Sequence, residues 1–213
     1  MEEERMLPAF VFRIAYDIVQ EGLSKEDGVR RMLQRAGLER YVGNPPPIST
    51  EPAITLEEYQ RLVYAIHDVF EEDVAKQILE DAGERAFQEF RDSYFLSFRS
   101  FLHAFEKGMD ARQRTLLALK RLMTDLSDVM GYSHELTQVD DDLIIDMHDC
   151  PYCAQMAKRA HRPICYLPAA FYRAAVRWVT GEEHAVKEIA CRTLGDDSCR
   201  FRISWGIILR ASE

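Results

Sequence analysis

This chain of 213 residues has neither an excess of basic side chains nor a long apolar run. Its 27 lysines and arginines are outnumbered by 36 aspartates and glutamates, so the formal net charge is -9. Because nucleic acids and anionic membranes attract basic surfaces, this charge argues against a general affinity for either. No stretch approaches the roughly 18 apolar residues of a membrane span, and residues 1–5 are too acidic for a secretory leader. We therefore expect a cytoplasmic protein that neither spans a membrane nor binds nucleic acid.

Several sequence signatures of catalysis are also missing. The chain contains no glycine-rich phosphate loop, no dinucleotide-binding fingerprint and no Ser/His/Asp arrangement. A reductase would be expected to carry a nicotinamide or flavin site, and no motif for either is visible. Enzymatic activity is therefore left open, and the sequence favours a protein that binds its ligand without converting it.

The composition is that of a globular protein, with 47% hydrophobic and 30% charged residues. The length suits one large domain, or a compact domain with a helical extension. The five cysteines all lie in the last third of the chain: Cys150, Cys153, Cys165, Cys191 and Cys199. In a cytoplasmic protein such cysteines are more often reduced, metal-bound or redox-active than joined in structural disulfides.

The start of the chain has the apolar spacing of helices. Residues 7–20 predict one helix, and a second is predicted to begin at a Ser24 cap and to end at Gly37. Residues 45–47 are three prolines, which predict a stiff linker after this helical pair.

A second helical region follows the prolines. Thr55 and Glu58 have the spacing of a capping box, in which each side chain accepts a hydrogen bond from a free backbone N–H of the other residue. The helical pattern continues over residues 74–98 and 112–130. Core packing is sufficient to explain these apolar stripes.

The pattern changes character at Gly131. The elements predicted after it are two strands, two helices and two strands, at residues 134–139, 143–148, 151–160, 167–180, 185–193 and 198–205. This order predicts an α+β fold, in which a helical N-terminal half is followed by an antiparallel sheet with helices on one side. We divide the chain into a helical pair (1–45), a helical region (46–130) and an α+β core (131–210), with 46–210 forming one compact domain.

The last hairpin carries three residues that can bind a metal ion. A short loop would bring Cys191 opposite Cys199, with their Cβ atoms about 5 Å apart. Glu188 is three residues before Cys191, so it can join them only through a β-bulge or a strand end. Cys165, between two predicted helices, can complete the set. Three thiolates and a carboxylate make a tetrahedral zinc site, and four protein ligands favour a structural over a catalytic ion.

A second cysteine pair, Cys150 and Cys153, has CxxC spacing at the start of a predicted helix, whose dipole would lower a thiol pKa. The sequence leaves four interpretations open. They are a second metal or haem site that His148 could extend, an iron–sulfur cluster shared with Cys165, a disulfide switch, and a pair of small buried residues.

The cysteine pattern resembles that of the 4-vinyl reductase domain family. Residues 188–201 carry its sequence of a glutamate, two residues, a cysteine, a glycine-bearing turn, a second cysteine and an apolar strand, and the likeness extends over residues 131–205. The family is similar in fold to subunits of the TRAPP vesicle-tethering complex, and it includes zinc-containing sensory domains of aromatic-degradation activators. Four residues reproduce the zinc-ligand spacing of those domains: Cys165, Glu188, Cys191 and Cys199. The resemblance implies a small-molecule-binding domain with zinc that forms a homodimer.

An apolar pocket would then lie between the helical half and the sheet. Its candidate lining residues are Phe87, Phe90, Tyr94, His103, Leu116 and Ile144. Leu116 and Ile144 stand near the positions at which the aromatic sensors carry a polar pair that grips phenol. Because both residues are apolar here, we expect an apolar or larger planar ligand.

The functional hypothesis is a sensory or carrier protein with an apolar pocket and a structural zinc site, whose ligand-dependent surface a regulatory protein partner could read. One alternative is an accessory protein or enzyme of tetrapyrrole or bacteriochlorophyll biosynthesis. Another is a thiol-based redox regulator. An iron–sulfur cluster or haem would replace zinc as the cofactor under the alternative readings of the cysteines.

Overall fold

The computed structural model describes residues 5–22, 26–95, 108–153 and 161–208. The described helices are α1 (Ala9–Gly22), α2 (Glu26–Ala36), α3 (Leu56–Val69), α4 (Glu72–Phe90), α5 (Ala111–Met130) and α6 (Tyr166–Thr180). The described strands are β1 (Met6–Pro8), β2 (Pro52–Thr55), β3 (His134–Val139), β4 (Asp142–Met147), β5 (His184–Ala190) and β6 (Cys199–Ile208). None of the helices in these ranges is long and apolar enough to cross a membrane.

Local side-chain chemistry explains where several helices begin and end. The predicted capping box starts α3: the Glu58 N–H donates to the Thr55 hydroxyl, and the Thr55 N–H donates to the Glu58 carboxylate. A second box, between Asp110 and Gln113, starts α5. Gly131 ends that helix with a φ of 69°, a left-handed conformation that glycine adopts without a Cβ penalty.

The strands form a two-stranded pair and a four-stranded sheet, and both are antiparallel. β1 pairs with β2, and the larger sheet has the order β3-β4-β6-β5. Along β4 every second residue is buried, so that Leu143, Ile145 and Met147 face the core. The predicted α+β class is therefore confirmed.

Helix α6 packs against both the sheet and α4. The Tyr172 ring lies 5.3 Å from that of Phe201 on β6. On the other side Gly83 of α4 approaches the start of α6 so closely that a Cβ there would lie 2.2 Å from the Leu167 carbonyl oxygen. This contact positions the N-terminus of α6 and, with it, Cys165.

Some predicted boundaries differ from the structure. Helix α1 begins at Ala9 and not at residue 7, because Met6–Pro8 pairs with β2. Strand β5 ends at Ala190 and not at residue 193, because Arg192–Leu194 forms a 3-10 turn. At the end of α4, Arg91–Phe95 continues as a π-helical turn. The predicted Ser24 cap and most of the predicted helix at 151–160 lie outside the described residues.

The proposed domain division remains a prediction. The pairing of β1 with β2 joins segments on the two sides of residue 45. One buried hydrophobic cluster also includes residues from all three proposed parts, such as Leu33, Leu62 and Phe201.

Candidate metal centre

The β5–β6 hairpin brings two cysteines together. Ala190 pairs with Arg200, so Cys191 and Cys199 occupy the next pair of positions, and their Sγ atoms lie 4.0 Å apart. The Cys191 N–H donates to the Asp196 carboxylate at 2.8 Å, which holds the turn closed. Both thiols are fully buried.

A β-bulge directs Glu188 toward these cysteines. Glu188 pairs with Phe201 and Ala190 with Arg200, so Ile189 is the extra residue between them and is 42% exposed. The bulge is the feature that the odd spacing between Glu188 and Cys191 required. Glu188 itself is only 9% exposed.

Cys165 reaches the same place from the N-terminus of α6. Its backbone N–H donates to Oε2 of Glu188 at 2.8 Å, and its Sγ lies 3.7 Å from that of Cys199. The other carboxylate oxygen of Glu188, Oε1, is buried and has no hydrogen-bond partner among the described residues. A buried carboxylate oxygen without a partner is costly, and a metal ion would supply one.

The CxxC pair lies against these residues. The Cys150 Sγ lies 3.5 Å from that of Cys165, and the Cys153 Sγ lies 3.2 Å from that of Cys199. Cys150 and Cys153 are 0% and 1% exposed, so they are as deeply buried as the other three cysteines. None of the five forms a disulfide.

The donor atoms form two overlapping groups. Within each group all four atoms lie within 4.8 Å of one another. The glutamate group consists of Cys165, Glu188, Cys191 and Cys199, and the four-cysteine group consists of Cys150, Cys153, Cys165 and Cys199. We call the two groups together the cysteine centre.

The protonation of the cysteine centre reflects its burial. Burial, together with the neighbouring Cys191, raises the pKa of Glu188 to about 9. Hydrogen bonds from Cys153 and Cys165 lower the pKa of Cys191 to about 6, and hydrogen bonds from Cys150 and Cys165 lower that of Cys199 to about 5. Hydrogen bonds with Cys150 and the other cysteines raise the pKa of Cys165. The thiols thus share protons, which a metal ion would displace.

The residues of the glutamate group fit a tetrahedral zinc ion. With a Zn–S bond of about 2.3 Å, the sulfur atoms of an ideal site lie about 3.8 Å apart. The separations of 3.7 Å between Cys165 and Cys199 and of 4.0 Å between Cys199 and Cys191 are close to this value. Thiolate-rich sites select zinc and softer ions over magnesium or calcium.

His148 lies apart from the cysteine centre. Its side chain is exposed, and its Nε2 atom lies 3.8 Å from the carboxylate of Glu135 on β3. It belongs to neither donor group in the part of the chain that the structure describes.

An apolar cavity of about 30 Å³ lies beside the cysteine centre. Its wall combines aliphatic and aromatic side chains with four tyrosines: Tyr59, Tyr132, Tyr152 and Tyr172. The hydroxyls of Tyr132 and Tyr152 lie 2.9 Å apart and share a hydrogen bond. Burial raises the pKa of Tyr59, Tyr132 and Tyr172, so these phenols stay neutral.

The cavity and the cysteine centre share three short segments. Tyr152 lies between Cys150 and Cys153, and Leu167 follows Cys165 by two residues. The third contact is across the sheet, where the lining residue Met147 pairs with Cys199.

Of the residues predicted to line a pocket, Phe90 lines this cavity. Phe87 packs edge-on against Phe171, with ring centres 5.5 Å apart, and Tyr94 lies against Phe90 at 4.9 Å. Leu116 is packed against the edge of the core, and Ile144 lies on the less buried side of β4. His103 lies outside the described residues.

Sequence reasoning missed the tyrosines of the cavity wall. They come from four separate places in the chain: helix α3, the residue after Gly131 at the end of α5, the CxxC segment and helix α6. The local signal was an aromatic residue within an apolar stripe or beside a cysteine. That signal does not distinguish a cavity wall from ordinary core packing.

Comparison with protein families supports the resemblance that the cysteine spacing indicated. Residues 143–204 match the family model of the 4-vinyl reductase domain. The match includes Cys150, Cys153, Cys165, Glu188, Cys191 and Cys199. A search of curated protein sequences found no match.

Solved structures with the same fold include two groups of sensory or ligand-binding domains. The phenol-responsive sensory domain of the transcription activator PoxR, solved with phenol, is 14% identical with a TM-score of 0.53, covering 74% of this chain and 78% of that one. An H-NOX protein from S. oneidensis, in the Fe(II)NO ligation state, is 12% identical with a TM-score of 0.51, covering 96% and 100%. At these identities the similarity shows the fold alone.

A third structure is a trafficking protein particle complex subunit 3 from Naegleria fowleri, covalently bound to palmitic acid. It is 15% identical with a TM-score of 0.46, covering 73% of this chain and 95% of that one. This likeness is too weak to carry an argument about the present protein.

Proposed function

We propose that this chain is a small-molecule-binding sensory or carrier module, whose apolar cavity is anchored to a structural zinc ion. One observation carries the proposal: the segments that line the cavity also bear the cysteines. A ligand that moves Tyr152 or Leu167 must strain the segments that hold Cys153 and Cys165. Binding in the cavity would therefore be coupled to the geometry of the β5–β6 hairpin.

Zinc held by the glutamate group would have a structural role. Cys165, Glu188, Cys191 and Cys199 would fill its four coordination positions, leaving none for a water nucleophile. The ion would crosslink the start of α6 to the β5–β6 hairpin. When bound it supplies folding energy and not catalysis.

The size and chemistry of the cavity favour a small ligand. Its volume of about 30 Å³ is well below the roughly 150 Å³ of an apolar cavity that holds benzene, so ligand entry requires the wall to move. The wall is lined by side chains that can rotate, including Phe90 and Phe171. A tetrapyrrole would need a far larger rearrangement. The Tyr132–Tyr152 hydroxyl pair could bind one polar group of an otherwise apolar, planar molecule.

The structural neighbours support this use of the fold. The PoxR domain is described as phenol-responsive and was solved with phenol, and the S. oneidensis H-NOX protein was solved in an Fe(II)NO ligation state. A ligand that binds the widened cavity more tightly than the closed one would shift the population between the two forms. A regulatory protein partner could read that shift, and we propose that the module acts as a homodimer, which light scattering of the 24.7 kDa chain would test.

The ligand-binding proposal can be tested with purified, zinc-replete protein. We expect native mass spectrometry of protein from its own host to retain a small molecule, and calorimetry to detect binding of phenol, toluene or naphthalene. Ala86→Leu fills the cavity and should weaken binding at least tenfold while the zinc content stays unchanged. Ala111→Leu, on the exposed first turn of α5, is the matched control. Equal binding by Ala86→Leu and the original protein would contradict the proposal.

A further inference from the structure

The two donor groups of the cysteine centre share an edge. Cys165 and Cys199 belong to both, and their Sγ atoms lie 3.7 Å apart. On one side of this pair stand Cys150 and Cys153, and on the other stand Glu188 and Cys191. Six donor atoms are therefore arranged as two tetrahedra that share an edge, whereas a single ion can use only four of them.

We propose that the cysteine centre holds two zinc ions bridged by two thiolates. Cys165 and Cys199 would each bind both ions. Cys150 and Cys153 would be the terminal ligands of one ion, and Glu188 and Cys191 would be those of the other. The proposal rests on the metal site of the proposed function and adds a second ion to it, with a role for the CxxC pair.

The sulfur separations suit both tetrahedra. In the four-cysteine group they are 3.5 Å from Cys150 to Cys165 and 3.2 Å from Cys153 to Cys199. These values lie slightly below the edge of about 3.8 Å in an ideal zinc–thiolate site. Small side-chain rotations would therefore open the group enough to admit an ion.

Charge also favours a second ion. With one zinc in the glutamate group, Cys150 and Cys153 would remain as buried, protonated thiols in contact with the thiolates of Cys165 and Cys199. A second divalent cation would replace those protons. Five thiolates and one carboxylate with two divalent cations leave a net charge of about -2, the same as one zinc in the glutamate group alone.

Backbone groups help to stabilise this remaining charge. Cys165 is the N-cap of α6, a helix of 15 residues whose dipole favours negative charge at this end. The Arg192 N–H donates to the Cys199 Sγ at 3.5 Å, so one of the bridging sulfurs already accepts a hydrogen bond. A hydrogen bond to an ionised acceptor is stronger than one between neutral groups, so this contact favours the thiolate form of Cys199.

The same contacts argue against an iron–sulfur cluster in this centre. In such clusters inorganic sulfide ions lie between the irons, and each cysteine binds at the outer corner of the cluster. Here the cysteine sulfurs contact one another at 3.2–4.0 Å, and the bridging positions are already taken by protein sulfurs. Ions without added sulfide fit this spacing.

The test is the metal content of the full chain. We expect two zinc ions per chain by mass spectrometry of metals, with no acid-labile sulfide. Cys150→Ser/Cys153→Ser should retain one zinc and its far-ultraviolet circular dichroism spectrum. The matched control, Glu188→Gln/Cys191→Ser, removes the terminal ligands of the other ion and should also retain one.

The outcomes separate the second ion from the proposed function. One zinc in the original protein, unchanged in Cys150→Ser/Cys153→Ser, would overturn the bridged pair and leave the glutamate group intact. No zinc at all would overturn both, and stoichiometric sulfide with iron would replace the pair by a cluster.

A spectroscopic measurement decides the matter even if the variants fail to fold. Substitution of the original protein with cadmium-113 should give two NMR signals of equal intensity, one from a site with four sulfurs and one from a site with three sulfurs and an oxygen. A single signal at saturating cadmium would overturn the proposal.

Discussion

Cys165 joins more parts of the molecule than its position in the sequence suggests. It caps α6, its N–H holds Glu188, and its sulfur belongs to both donor groups. Its role as a metal ligand followed from the spacing shared with zinc-containing sensory domains. Its contact with Cys150, 15 residues earlier, depends on how the segment between them folds back.

His134 offers a test of burial at the residue scale. Burial lowers its pKa to about 4, and neither ring nitrogen has a hydrogen-bond partner among the described residues. The unfolded chain takes up a proton near pH 6.5 and the folded chain does not, so stability is full above pH 6.5 and is lost as the pH falls toward 4. The loss for this residue is on the order of 3 kcal/mol.

We therefore expect His134→Phe to flatten the dependence of the unfolding free energy on pH between 6.5 and 4. Urea titrations at several pH values would measure it. Metal release at low pH is common to all the proteins compared and cancels in the difference. The exposed His148 is the matched control, and His148→Phe should leave the pH dependence as it was. An identical profile for both variants would show that His134 is not shielded from water.

At the scale of elements, local chemistry made most of the helices predictable. The capping box at Thr55 and the left-handed glycine at position 131 depend on neighbouring residues in the chain, so their signals are legible without a fold. The early end of β5 was not predicted. It depends on a 3-10 turn whose N-cap, Cys191, is held by Asp196 five residues away.

Gly83 tests the contact between α4 and α6. Alanine would favour an exposed helix by about 1 kcal/mol over glycine. Here its Cβ would meet the Leu167 carbonyl, so we expect Gly83→Ala to destabilise the protein by about 1–3 kcal/mol and to weaken zinc binding by displacing Cys165.

Calorimetry and competition with a chromophoric chelator would measure the two effects of Gly83→Ala. Gly22 stands at the end of α1 with no atom within 4 Å of its added Cβ, so Gly22→Ala is the control and should be neutral or slightly stabilising. If Gly83→Ala were as stable as Gly22→Ala, the two helices would be able to separate without cost.

At the scale of the whole molecule, metal removal should loosen the packing of the sheet against the helices. The cysteine centre connects β5, β6 and the start of α6, and without ions it leaves a buried carboxylate oxygen unpaired among the described residues. We expect chelation to lower the unfolding midpoint by about 10 °C or more, which corresponds to several kcal/mol for a chain of this length. Differential scanning calorimetry before and after adding zinc back would measure it. An unchanged midpoint would mean that the metal contributes nothing to folding.

The order of residues was enough to predict the α+β class, the capped helices, and the convergence of Cys165, Glu188, Cys191 and Cys199. These inferences depend on spacing within one element, or on a spacing pattern shared with known domains. The tertiary structure was needed to bring Cys150 and Cys153 against Cys165 and Cys199, and to assemble the tyrosine-lined cavity. Both depend on the packing of elements far apart in the chain, where each contact is set by the shape and burial of several segments at once.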